Sequence, residues 1–146
     1  MPSPIALLAA PSRLGGLADW VGRHHDTLVG FELLVNAELA DRLRSRPDTG
    51  GMRIDVVPPL ADGGEIEVAA RILRGEVVGL IAFLDPRTLG SAPPDPEVLL
   101  RACLIRQVPV ALNEASASLA LRGLARSRVA YLIFNPVAGQ GDPQEE

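Results

Sequence analysis

Short apolar runs alternate with helix-spaced segments along this chain, and that alternation admits few folds. The most marked run is Val77-Val78-Gly79-Leu80-Ile81-Ala82-Phe83-Leu84. A strand with no polar position has both faces covered, as in a parallel sheet packed between helices. Further strands are expected over 5–10, 32–35, 52–57, 108–112 and 129–134. Between them the spacing predicts helices over 14–25, 38–46, 65–74, from 96 onward, and over 115–126. Ile66, Ala69, Ala70 and Leu73 are the expected apolar stripe of the third helix, and Val98, Leu99, Cys103 and Leu104 that of the fourth. Strand–helix alternation predicts an α/β fold, a three-layer α/β/α arrangement with a central, mainly parallel sheet.

Composition narrows the function classes. The chain has 146 residues, enough for one domain with a real core, and only 3% aromatics, so that core is aliphatic. The net charge of −4 argues against a nucleic-acid or anionic-membrane surface. Cys103 is the only cysteine, which excludes an internal disulfide. No apolar run reaches the roughly 18 to 20 residues of a membrane span, so no membrane insertion is expected. Met1-Pro2-Ser3-Pro4-Ile5 lacks the basic and long apolar regions of a leader, so a cytoplasmic location is expected.

Ligands of open α/β sheets bind outside the carboxyl ends of the strands. The segments expected at that edge carry Arg13, Asn36, Gly63, Gly64, Glu65, Asp85 and Asn113. Glu65 is the best candidate base. Two glycines precede it, so the backbone there can turn tightly and approach a ligand. A helix N-terminus also favours the charged carboxylate, the form that accepts a proton. The plainer reading of Glu65 is a helix-start residue complementing the dipole. Asp85 ends the most apolar strand and either orients a partner, shares a proton or caps the following turn. Asn36 and Asp95 are expected N-caps, and Asn113 is open to two roles, holding its loop or facing a ligand.

No G-x-G-x-x-G follows the first strand, no P-loop motif exists, and all 14 basic residues are arginine. Any phosphate would therefore rely on arginines and helix N-termini. His24, His25 and Asp26 read as a solvated helix end, because adjacent helical side chains diverge too far to share a metal. No metal site and no cofactor are expected.

Four motifs in order resemble methylglyoxal synthase: Gly63-Gly64-Glu65, Leu84-Asp85-Pro86, Asp95-Pro96-Glu97, and Val108-Pro109-Val110-Ala111-Leu112-Asn113, with Arg101 also matching. The resemblance covers residues 4 to about 134 and is strongest over 62–117. It implies conversion of dihydroxyacetone phosphate to methylglyoxal and phosphate. It also implies Glu65 as the base, Asp85 as a supporting acid, Arg13, Asn36, Gly63, Gly64 and Asn113 near the substrate, and a homohexamer. The chain departs from the family pattern in several places. Its base is Glu65 where the family has aspartate. Asn36-Ala37-Glu38 replaces a hydroxyl-rich phosphate cradle, and Pro94 stands at the family's histidine. Beyond the domain at 1–134, the segment 129–139 with Asn135-Pro136 is similar to the opening of diacylglycerol-kinase-like lipid kinases, so 135–146 reads as a tail of that kind. The rival expectation is a non-catalytic binding or regulatory module associated with such a kinase.

Overall fold

The computed structural model describes residues 4–134, with side chains through residue 128. Five strands form one parallel sheet in the order β3-β2-β1-β4-β5. They are β1 (Pro4–Ala9), β2 (Glu32–Asn36), β3 (Arg53–Val57), β4 (Gly79–Phe83) and β5 (Val110–Ala111). The helices are α1 (Leu14–Arg23), α2 (His25–Leu28), α3 (Ala37–Arg44), α4 (Gly64–Leu73), α5 (Pro96–Arg106) and α6 (Glu114–Phe134).

β1 is central. Ile5 and Leu7 align with Leu33 and Val35 of β2, while Leu7 and Ala9 align with Ile81 and Phe83 of β4. Side chains alternate across a strand, so this register sorts the sheet into two cores. Ile5, Leu7, Ala9, Leu33, Val35, Ile81 and Phe83 face α1, α3 and α6. Ala6, Leu8, Leu34, Leu80 and Ala82 face α4 and α5. The result is the three-layer α/β/α arrangement that the uninterrupted apolar runs require.

Three expectations are corrected. The segment 129–134 is not a sixth strand, because α6 continues to Phe134. An apolar run of that length fits helix and strand equally, and neither glycine nor proline interrupts the helix between Leu124 and Phe134. The buried stripe of α4 is Glu65, Val68, Ala69 and Ile72, whereas Ile66 is 61% exposed. The helix is therefore turned by about one residue from the expected phase, and this turn carries Glu65 inward. In α5 the buried positions are Leu99, Ala102 and Cys103, and Leu104 is exposed. The segment Asn135 to Glu146, with its kinase-like Asn-Pro, lies outside the described residues.

Candidate functional site

The chain runs outward from β1 through β2 to β3, then crosses to β4 on the other side of β1. The switch point of the sheet is thus the gap between the carboxyl ends of β1 and β4. A backbone bond from Ala10 N–H to the Phe83 carbonyl, 2.9 Å, closes the two ends together. Ser12 follows β1 and Asp85 follows β4. Ser12 Oγ donates to Asp85 Oδ2 at 2.6 Å.

Asp85 is buried and fully engaged. Its Oδ1 accepts from the Arg87 N–H at 2.9 Å and from Arg87 Nε at 3.2 Å, and Oδ2 accepts from Arg87 Nη2 at 3.3 Å. The Arg87 guanidinium, then the Ser12 hydroxyl and the Arg87 N–H, hold this carboxyl well below the usual carboxylate range. Asp85 is therefore a fixed negative charge that orders the turn after β4. Its short spacing to the Arg87 N–H was legible as a turn signal. The Ser12 partner, far away in sequence, was not.

Glu65 is arranged differently. It lies in the first turn of α4 and is only 6% exposed. Its Oε2 accepts from the Asp95 N–H at 3.1 Å, which ties the starts of α4 and α5 together. Its Oε1 is buried with no partner. One oxygen is thus oriented by a backbone donor while the other remains an unused acceptor. Asp95 itself caps α5, its Oδ1 accepting from the Glu97 N–H at 3.0 Å.

The two glycines before Glu65 have separate reasons. Gly63 has φ 93°, the left-handed region, and links a 3-10 turn at Leu60–Asp62 to α4. Gly64 packs so closely that a Cβ would overlap the Pro58 carbonyl oxygen and stand 3.3 Å from that of Pro59.

Asn36 ends β2 and is fully buried. It occupies the N-cap position of α3, but its side chain does not cap the helix as expected. Its Nδ2 donates to Glu38 Oε1 at 2.6 Å, and its Oδ1 is left without a partner. Glu38 Oε2 accepts from the Leu60 N–H at 3.3 Å, so this carboxylate joins the start of α3 to the turn before α4. Arg13 ends the 3-10 turn after β1 and is exposed at the same edge. Asn113 is spent on structure. Its Oδ1 accepts from the Ser116 N–H at 3.0 Å and caps α6.

The structure therefore gathers Arg13, Asn36, Gly63, Gly64, Glu65 and Asp85 along one sheet edge. A depression of about 280 Å³ lies elsewhere, beside the end of α3 and the start of β3, lined among others by Arg44, Thr49 and Met52. It contains none of the expected site residues. Among the described residues, no cluster of His, Cys, Asp and Glu is arranged to hold a metal ion. The histidines are also less free than expected: His24 stacks on Trp20 with ring centroids 4.5 Å apart, and His25 Nε2 lies 2.6 Å from the Gly50 carbonyl.

A methylglyoxal synthase from Cupriavidus taiwanensis is 34% identical over 128 residues, covering 86% of this chain and 92% of that protein. The chain belongs to the methylglyoxal synthase family. The synthase fold is seen again in the crystal structure of a methylglyoxal synthase from Elizabethkingia anophelis, which superposes with a TM-score of 0.74 at 22% identity over 82% of this chain and 77% of that one. This synthase-family chain also aligns over its whole length, at 31% identity, with an uncharacterized protein from Synechocystis, of which it spans only 33%. No family model matches the chain. Among the described residues, no helix is long and apolar enough to cross a membrane.

Proposed function

We propose that this synthase-family domain binds a small phosphorylated carbonyl compound at the carboxyl edge of its sheet and that Glu65 removes a proton beside the carbonyl. The carrying observation is the Glu65 carboxylate, buried, oriented through Oε2 by the Asp95 N–H, and left with Oε1 unpartnered. A base needs an oriented acceptor whose lone pair is not already used. With dihydroxyacetone phosphate, proton abstraction would give an enediolate. Its electrons would expel phosphate and leave methylglyoxal after ketonisation. Asp85, pinned by Ser12 and Arg87, would fix the turn that faces the substrate rather than exchange protons, since its oxygens are already hydrogen-bonded. Because Glu65 Oε1 is screened from solvent, substrate entry would shift a neighbour. The connection from β4 to α5, which donates the Asp95 N–H, is the segment expected to move.

The test is release of methylglyoxal and phosphate from dihydroxyacetone phosphate. Glu65→Gln keeps an acceptor for the Asp95 N–H and removes the base, so it should lower turnover by about 10²-fold to 10⁴-fold. Wild-type turnover no greater than that of the variant would end the catalytic reading.

A second reading has its own support. Glu38 places a carboxylate at the α3 N-terminus, where a phosphate would otherwise be favoured. The chain also matches one third of a longer Synechocystis protein. On this reading the domain binds a ligand without turning it over and regulates a lipid kinase that its terminal segment resembles. Ligand binding without product in the same assay would favour it.

A further inference from the structure

All 14 basic residues are arginine, so the cations that can meet an anionic ligand at the strand-end edge are guanidinium groups. Two arginines stand at the switch point. Arg13 closes the 3-10 turn after β1, and Arg87 lies in the turn after β4. The 2.6 Å bond from Ser12 to Asp85 joins those two turns.

Arg87 combines exposure with order. Its side chain is 78% exposed, while that of its partner Asp85 is 4% exposed. An arginine so exposed ordinarily spreads over many rotamers, and fixing it on a ligand costs that freedom. Here the Arg87 N–H, Nε and Nη2 all reach one buried carboxylate, at 2.9, 3.2 and 3.3 Å. Ser12 holds the same carboxylate from the other turn. A guanidinium carries five N–H donors in one plane. Asp85 takes one from Nε and one from Nη2, which leaves both on Nη1 and the second on Nη2. These form a fork on the edge of the plane turned away from Asp85, and such a fork matches two oxygens of an oxyanion. We propose that Arg87 is the anion-holding residue of this edge, that its Nη1–Nη2 fork takes two oxygens of a phosphate monoester, and that Asp85 is the positioning residue that aims it. The proposal rests on the reading of the edge as the site of a phosphorylated carbonyl compound. The connection from β4 to α5 carries both Arg87 and Asp95, whose N–H orients Glu65, so one segment serves the anion and the base. The Asp85–Arg87 pair has no net charge, so the grip is directional rather than a long-range field.

The experiment titrates the full chain with inorganic phosphate at about 0.15 M salt, which screens diffuse surface charge, and follows ³¹P line broadening at a temperature where every variant is folded. Wild type is compared with Arg87→Ala, Arg87→Lys and a charge control, Arg44→Ala, which changes an exposed arginine in the last turn of α3. Arg87→Ala should weaken phosphate binding by about tenfold or more. Arg87→Lys, which keeps the charge without the fork, should fall between, and Arg44→Ala should bind as wild type does. A purely structural Arg87 would lower the melting temperature and leave the phosphate affinity of the folded protein unchanged. If Arg87→Ala does not fold, Arg87→Lys against wild type decides. Unchanged binding in the folded Arg87 variants, equal losses in Arg87→Ala and Arg44→Ala, or a wild type that binds no phosphate overturns the proposal. Binding through Arg87 without product from dihydroxyacetone phosphate would end the catalytic reading alone. Turnover whose KM is unmoved by Arg87→Ala would end this proposal alone.

Discussion

Gly63 and Gly64 stand side by side before the candidate base, and single substitutions at each should fail for different reasons. At Gly63 the obstacle is conformation. A Cβ there meets only Ile66 Cδ1 at 4.0 Å, but φ is 93°. Alanine in the left-handed region costs about 1–2 kcal/mol, and asparagine, which tolerates that region, costs less. At Gly64 the obstacle is space. A Cβ would overlap the Pro58 carbonyl oxygen and lie 3.2 Å from its carbon, so backbone must move by about 1 Å, an overpacking cost of about 3 kcal/mol. That backbone resists, because the Asp62, Gly63 and Gly64 N–H groups bond the Pro59 and Leu60 carbonyls at 2.9–3.1 Å. Thermal unfolding followed through Trp20 fluorescence, at fixed protein concentration, measures both. Gly64→Ala should lower the melting temperature by about 6–12 °C, taking about 2–4 °C per kcal/mol for a domain of this size. Gly63→Asn should recover most of the loss seen in Gly63→Ala, whereas asparagine at Gly64 should be no better than alanine. The Gly64→Ala shift also carries Glu65, and a displacement of about 1 Å lowers a rate by about 10²-fold. Near wild-type stability for Gly64→Ala, or equal losses for Ala and Asn at Gly63, would refute this account.

The remaining predictions concern titratable groups. Asp85 has its folded pKa depressed, so its stabilisation is complete above the unfolded value near ~4 and is lost as pH falls through the folded value. The stability difference between wild type and Asp85→Asn should therefore shrink as pH drops from about 5 toward about 2. A difference that is constant across urea titrations in that range would sink the assignment. Burial pushes the Cys103 thiol up to about 11, so iodoacetamide should label it only when the α5 packing opens. Labelling should accelerate steeply in urea, and native labelling as fast as in the unfolded chain would contradict the burial.

The sheet was legible because its strands are buried on both faces and so carry unbroken apolar runs. β4 shows this best, with all five residues buried. Helix phase was harder to read. In α4 apolar residues fall at 66, 68, 69, 70, 72 and 73, nearly all round the helix, and the sequence does not say which stripe turns inward. The tight seat of Gly64 against Pro58 accompanies a phase that exposes Ile66 and buries Glu65. The end of α6 is ambiguous in the sequence for a related reason: six apolar residues with no breaker before them continue a helix as readily as they start a strand.

The carboxylates Glu65 and Asp85 were expected at strand and helix ends because Gly-Gly and Asp-Pro punctuation marks those ends locally. Their partners were not local. Ser12 meets Asp85 across 73 positions, Asp95 meets Glu65 across 30, and Leu60 meets Glu38 across 22. The sequence by itself determined an α/β chain, most of its run of elements, and which residues lie at the carboxyl edge of the sheet, since these follow from short-range periodicity and turn chemistry. Only the tertiary structure decided which of those residues meet. The order β3-β2-β1-β4-β5 sets the ends of β1 and β4 side by side, and no local pattern encodes that order. Hence a Glu65 oxygen is left free while Asp85 is fully bound, a difference made by packing and not by composition.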